Sequence, residues 1–146
     1  MNLLVAVDFS TVSEKTYKKA AELAKAFSAK LWLLHIAEPG PGATALKAGP
    51  VSVREDQAEQ YHREHRELRE IADTIRADGI DTSALLVQGP TVEMILKEAD
   101  RLEADMIILG SHGMGAMYRL LVGSVSEGVL RKATCPVLIV PTHNRT

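Results

Sequence analysis

Cysteine is nearly missing from this chain: Cys135 is the only one. That excludes an internal disulfide and leaves no C-x-x-C pair for zinc or redox chemistry. No apolar stretch approaches the roughly 20 residues of a membrane-spanning helix, so no membrane contact is expected. Met1 leads straight into an apolar strand pattern, without a basic leader or a small-residue cleavage site. No signal peptide is expected, and the expected location is cytoplasmic. Basic clusters are also absent. With 17 Lys and Arg against 19 Asp and Glu, the formal net charge is -2, and the electrostatic footprint of a nucleic-acid binder is missing.

What remains is a chain of 146 residues, 46% hydrophobic and 25% charged, which predicts one globular domain over residues 1–146. Apolar runs at Asn2 to Val7, Leu31 to Ile36, Ile80 to Gln88, Met106 to Leu109 and Val137 to Val140 read as strands. The first is followed by Asp8-Phe9-Ser10-Thr11, with Thr11 and Glu14 at capping-box spacing. Tyr17, Ala20, Ala21, Ala24 and Phe27 then recur at helical spacing. Ala37 to Val53, rich in Gly, Pro and Ala, reads as a connection. Arg54 to Asp78 places Ala58, Tyr61, Leu68, Ala72 and Ile75 on one helix face, with Gly79 at the C-cap. Thr91 to Glu103 repeats the pattern with Val92, Ile95, Leu96, Ala99 and Leu102, and Ser124 to Lys132 reads as a short last helix.

Strands alternating with helices predict an α/β fold, an open five-stranded parallel sheet with helices on both faces. In doubly wound sheets, ligands bind beyond the carboxyl ends of the strands where strand order reverses, and the first and fourth strands commonly flank that point. Asp8 and Gly110 follow those two strands. Gly110-Ser111-His112-Gly113 is separated by nine residues from Gly123-Ser124, where a helix begins. Glycines let backbone N–H groups turn toward an anion, and a helix N-terminus adds unpaired N–H groups and partial positive charge. Phosphate is the natural guest. Ser124 and Glu127 also have capping-box spacing, so Ser124 serves as a cap in the simplest reading, and the two roles can coexist. An Asp opening a strand-to-helix turn equally serves to hold the backbone.

Two better-known phosphate motifs do not fit. Gly110 to Met117 lacks the Lys-Ser or Lys-Thr ending of a Walker loop, and a dinucleotide fingerprint would follow the first strand, whereas Gly113-Met114-Gly115 follows the fourth. The pattern Gly110-x-x-Gly113-x9-Gly123-Ser124 instead resembles the nucleotide-binding branch of the universal stress proteins. The resemblance runs through Arg119 to Glu127 and Cys135-Pro136-Val137-Leu138-Ile139-Val140, and includes Val7-Asp8-Phe9-Ser10 and the Gly89 turn. It implies a Rossmann-like fold of the adenine nucleotide alpha hydrolase type, with ATP or another adenine nucleotide as ligand. It also implies phosphate and ribose contacts at Gly110, Gly113, Gly123 and Ser124, with Ser111, His112, Val125 and Ser126 as further nucleotide-binding candidates, although His112 reads equally as a solvent-facing spacer. Asp8 falls at the ribose or adenine side and Ile36 beside adenine, with Val7 as a further nucleotide-binding candidate. The shortage of lysines in the loop calls for Mg2+ with a triphosphate.

The expected role is a stress-response regulatory protein, acting through nucleotide-dependent conformation and an unidentified protein partner. The alternatives are a slow ATPase or phosphotransferase, with at most slow autophosphorylation, and an interaction module without nucleotide. For the enzyme reading the loop offers only Arg119 as a fixed cation. An apolar last strand at a sheet edge predicts a homodimer through Val137 to Val140, and the resemblance implies the same. His62 and His65 stand one helical turn apart, but within a charge run that reads as a solvated face. Cys135 reads as a small buried hydrophobe, and Trp32 as core.

Overall fold

Leu3 and Val5 point to one face of the first strand and Leu4 to the other, and all three are sealed from solvent. A strand apolar on both faces has to be covered on both. The computed structural model describes residues 1–37, 51–111 and 123–142, except the side chains of 51–57. Its elements are β1 (Asn2–Ala6), α1 (Ser13–Phe27), β2 (Lys30–Ala37), α2 (Val51–Ala77), β3 (Thr82–Gln88), α3 (Thr91–Arg101), β4 (Met106–Gly110), α4 (Ser124–Lys132) and β5 (Val137–Val140). The strands form one sheet in the order β3-β2-β1-β4-β5, and every pairing is parallel. Strand order therefore reverses between β1 and β4, where Leu3, Leu4 and Val5 stand opposite Met106, Ile107 and Ile108.

Each face of the sheet carries its own core. Leu3, Val5, Leu31 and Leu33 pack with Ala20 and Ala24 of α1 and with Leu68, Ala72 and Ile75 of α2. Leu4, Leu34, Ile107 and Leu109 pack with Ile95 and Ala99 of α3 and Val129 of α4. Complete burial of a leucine stabilises by about 2 kcal/mol over exposure. The fully buried Leu3, Leu4, Leu31, Leu33 and Leu34 lie on β1 and β2, so these strands belong in the middle of the sheet.

Local chemistry sets several boundaries differently from the sequence pattern. The Thr11–Glu14 capping box does not form: α1 starts at Ser13 behind Val12, with no side-chain cap. A tight turn replaces it, in which the Ser13 amide donates to the Ser10 carbonyl at 3.1 Å and the Asp8 amide donates to Ser13 Oγ at 3.3 Å. Of the expected Ala37 to Val53 connection, Ala37 ends β2 and 51–53 begin α2. Residues 38–50 lie outside the described residues. The ends of two apolar stripes face solvent, with Phe27 at 49% exposure and Ala58 exposed. Trp32 is half-buried rather than sealed in the core, with the Lys30 ammonium 4.5 Å from its ring centroid. Gly79, beyond α2, and Gly89, before α3, adopt φ of 82° and 144°, backbone that other residues adopt only under strain. At Gly89 a Cβ would also lie 2.8 Å from Met94 Cγ.

Candidate ligand site at the strand-order reversal

On the first side of the crevice, Val7 prolongs β1 by one rung, its amide donating to the Leu34 carbonyl at 2.8 Å. Asp8 follows and is exposed. Its Oδ1 accepts from the Ser10 amide at 3.0 Å and from Ser10 Oγ at 2.5 Å, closing an Asx-type turn. The backbone-holding role is thus realised, and Oδ2 takes no part in it. Phe9 completes the turn with φ of 62°, a left-handed conformation uncommon outside glycine. Ile36 lies half-buried near the end of β2, opposite Val87 of β3.

A residue that the sequence pattern did not single out braces this turn. His35 is buried, with Nδ1 2.6 Å from the Val7 carbonyl oxygen, so Nδ1 must carry the hydrogen and donate it. Nε2 lies 3.4 Å from Glu64 Oε2 of α2, and the ring lies against Phe9 with centroids 4.3 Å apart. The period-2 pattern was the available signal: His35 shares a strand face with the buried Leu31 and Leu33, and a buried imidazole needs partners.

On the second side, Gly110 ends β4 and its carbonyl accepts from Ser126 Oγ at 2.8 Å. Ser111 is buried, and its amide donates to the Val140 carbonyl at 2.9 Å. Its carbonyl accepts from the Gly123 amide at 2.7 Å. Gly123, Ser124, Val125 and Ser126 form the entry to α4, with Gly123 as N-cap at φ -69° and ψ 166°. The Ser124–Glu127 capping box is absent, because Ser124 stands inside the helix and no side chain caps it. The Glu127 amide instead donates to the Gly123 carbonyl at 2.9 Å. Neither Gly110 nor Gly123 has positive φ, so left-handed backbone is not what calls for glycine at these two positions. Since the Gly123 amide already has an acceptor, the first amides of α4 that can face an anion are those of Ser124, Val125 and Ser126. His112 and Gly113 lie outside the described residues.

The reversal thus brings the ends of β1 and β4 together, with Val7 and Asp8 on one and Gly110, Ser111 and the α4 entry on the other. Chemically, such a crevice offers an anion the N-terminal turn of α4 and offers a hydroxyl the Asp8 carboxylate. Among the described residues no three His, Cys, Asp or Glu side chains gather as metal ligands. No helix among them is long and apolar enough to cross a membrane. His62 is exposed, its ring edge-on to Tyr61. Cys135 is half-buried; burial first, then the nearby Asp100 and Asp105 carboxylates, raise its thiol pKa.

Fold and crevice together define an open parallel α/β protein with its candidate site at the β1/β4 switch point. A profile of the universal stress protein family matches residues 1–141. The chain is 30% identical over 143 residues to universal stress protein YxiE of Bacillus subtilis, covering 94% of this chain and 97% of that protein. It belongs to the universal stress protein family. Among solved structures, a universal stress protein in complex with cAMP superposes with a TM-score of 0.71 at 28% identity, over 98% of each chain. The universal stress protein from Archaeoglobus fulgidus in complex with dAMP gives a TM-score of 0.65 at 25% identity, over 95% of this chain and 96% of that one.

Proposed function

We propose that this chain is an adenine-nucleotide-binding regulatory protein whose ligand, ATP, lies across the β1/β4 crevice. The observation that carries the reading is the entry to α4 at the point where strand order reverses: backbone amides at a helix N-terminus, beside the exit of β1. The phosphates lie along Gly110 to Gly113 and the Gly123 to Ser126 turn, with the ribose near Val7 and Asp8 and the adenine beside Ile36. Relatives of the same fold solved with cAMP and dAMP support an adenine nucleotide. The described residues offer an anion backbone amides and hydroxyls, which fits phosphate. Mg2+ arrives with the triphosphate, neutralising charge that the lysine-poor loop leaves.

The output is conformation and partner binding rather than turnover, in the cytoplasm, by a homodimer joined through β5. That strand is an edge of the sheet, and Val137, Leu138 and Ile139 are each half-buried there, as an edge awaiting a partner would be. The test is to denature the purified protein and identify the small molecules released by mass spectrometry. An adenine nucleotide in proportion to protein is expected. Protein that releases none, and that shows no heat of binding with ATP and Mg2+ in calorimetry, would end the nucleotide reading.

A further inference from the structure

Thr142 lies two residues beyond β5, outside the motif that marks the phosphate loop, yet it is only 4% exposed. Its amide donates to Ser111 Oγ at 3.1 Å, and its own hydroxyl lies 3.2 Å from that oxygen. Ser111 is therefore gripped from three directions: its amide by the Val140 carbonyl, its carbonyl by the Gly123 amide, and its side chain by Thr142. At 3% exposure, its hydroxyl is a structural group facing Thr142.

We infer that Thr142 is a positioning residue for the nucleotide site, holding Ser111 so that the Ser111 carbonyl fixes Gly123 and the first turn of α4 at the phosphates. The inference rests on the nucleotide reading of this crevice and deepens it. The chain of contacts is continuous, from Thr142 to Ser111, from Ser111 to Gly123, and from Gly123 into the N-terminal turn of α4. Two described hydrogen bonds tie the α4 entry to the exit of β4, the Gly123 amide to the Ser111 carbonyl and Ser126 Oγ to the Gly110 carbonyl, and Thr142 acts on the first of them. Loosening Ser111 turns the helix entry away from its working direction. Buried hydroxyl pairs suit this duty because an unmade bond there is costly, so the pair has one favoured arrangement.

The experiment compares wild-type protein with Thr142→Val, which keeps shape and removes the hydroxyl, and Thr142→Ser, which restores it. Three readouts are taken: ATP affinity with Mg2+ by calorimetry, amide hydrogen exchange at Gly123, and the thermal midpoint. Thr142→Val is expected to bind ATP about fivefold more weakly, with faster exchange at Gly123. Thr142→Ser should return both to wild-type values, which a loss of general packing would not predict. A Thr142→Val protein with a lowered midpoint but wild-type ATP affinity would overturn the inference, and so would unchanged exchange at Gly123. Failure of the wild-type protein to bind ATP would strike the nucleotide reading instead, and Gly123 exchange would still decide whether Thr142 orders the α4 entry.

Discussion

Replacing Gly123 by valine separates two things that a glycine ahead of a helix can do. At φ -69° and ψ 166° its backbone is extended, a region that β-branched residues adopt without strain. The cost to folding is therefore that of a poorer N-cap, about 1 kcal/mol. Binding should suffer far more. Hydrogen bonds from backbone amides to a charged phosphate contribute about 1.5 to 3 kcal/mol each, and in the proposed complex an isopropyl group at the helix entry would stand where the phosphate closes on the Ser124, Val125 and Ser126 amides. Losing two such bonds removes about 3 kcal/mol, roughly a hundredfold in affinity. Calorimetric titration with ATP and Mg2+ measures the affinity, and a circular dichroism melt reports the fold. A folded Gly123→Val protein that binds ATP as wild type does would show that the phosphates do not lie at this turn.

Four further outcomes are expected. Ile108→Ala, at a fully buried position of β4, should lose about 3 kcal/mol of stability in urea unfolding; a loss typical of a surface site would contradict the packing at the sheet centre. Wild-type protein should run as a dimer in light scattering, and a monomer at high micromolar concentration would refute pairing through β5. The Cys135 thiol should react with iodoacetamide more slowly than a free cysteine, its rate rising only at higher pH, because burial and then Asp100 and Asp105 raise its pKa. With the folded value above the unfolded one, its contribution to stability is complete below the unfolded pKa and is lost as pH climbs through the folded one. A labelling profile that overlays free cysteine would contradict this. Steady-state phosphate release from ATP should stay far below roughly 1 per second, with Gly123→Val protein as the contamination control. Fast turnover that vanishes in that variant would favour an enzyme.

Period and alternation were enough to read the layered fold, because they report what must be buried. Leu3, Leu4 and Val5 announce a strand covered on both faces, and Val137 to Val140 emerges with the bounds read from sequence. Turn chemistry was harder. Thr11 and Glu14, and again Ser124 and Glu127, have capping-box spacing, yet neither box forms: α1 starts at Ser13 behind Val12, and at α4 the Glu127 amide goes to the Gly123 carbonyl. Spacing cannot rank acceptors that fold into reach. Contacts between distant segments were out of reach altogether, since Thr142 and Ser111 are 31 residues apart and share no periodicity. His35 stood between, hinted at by its strand face but partnered by Glu64 on a helix whose angle of approach no pattern gives.

The two sides of the crevice are braced in opposite directions. The β1 exit is tied outward through Val7 and Phe9 to His35 of β2, and through His35 to Glu64 of α2. The β4 exit is tied outward through Ser111 to Val140 and Thr142 at the end of β5. Between the braces, the strand pairing of β1 with β4 is that of Leu3, Leu4 and Val5 with Met106, Ile107 and Ile108, below the rim. The rim at Asp8 and at Gly110 thus has firm outward supports, while the register across the seam stops short of it. In the proposed complex a nucleotide touching both Asp8 and the α4 entry spans that seam, supplying the connection that the strand pairing does not. Its binding energy then acts on the relation between two braced halves, one carrying α2 and the other the β5 edge. Under the proposed function, ligand-dependent change would then fall at the two outward surfaces, where a protein partner or a second subunit would bind, without any chemistry on the ligand.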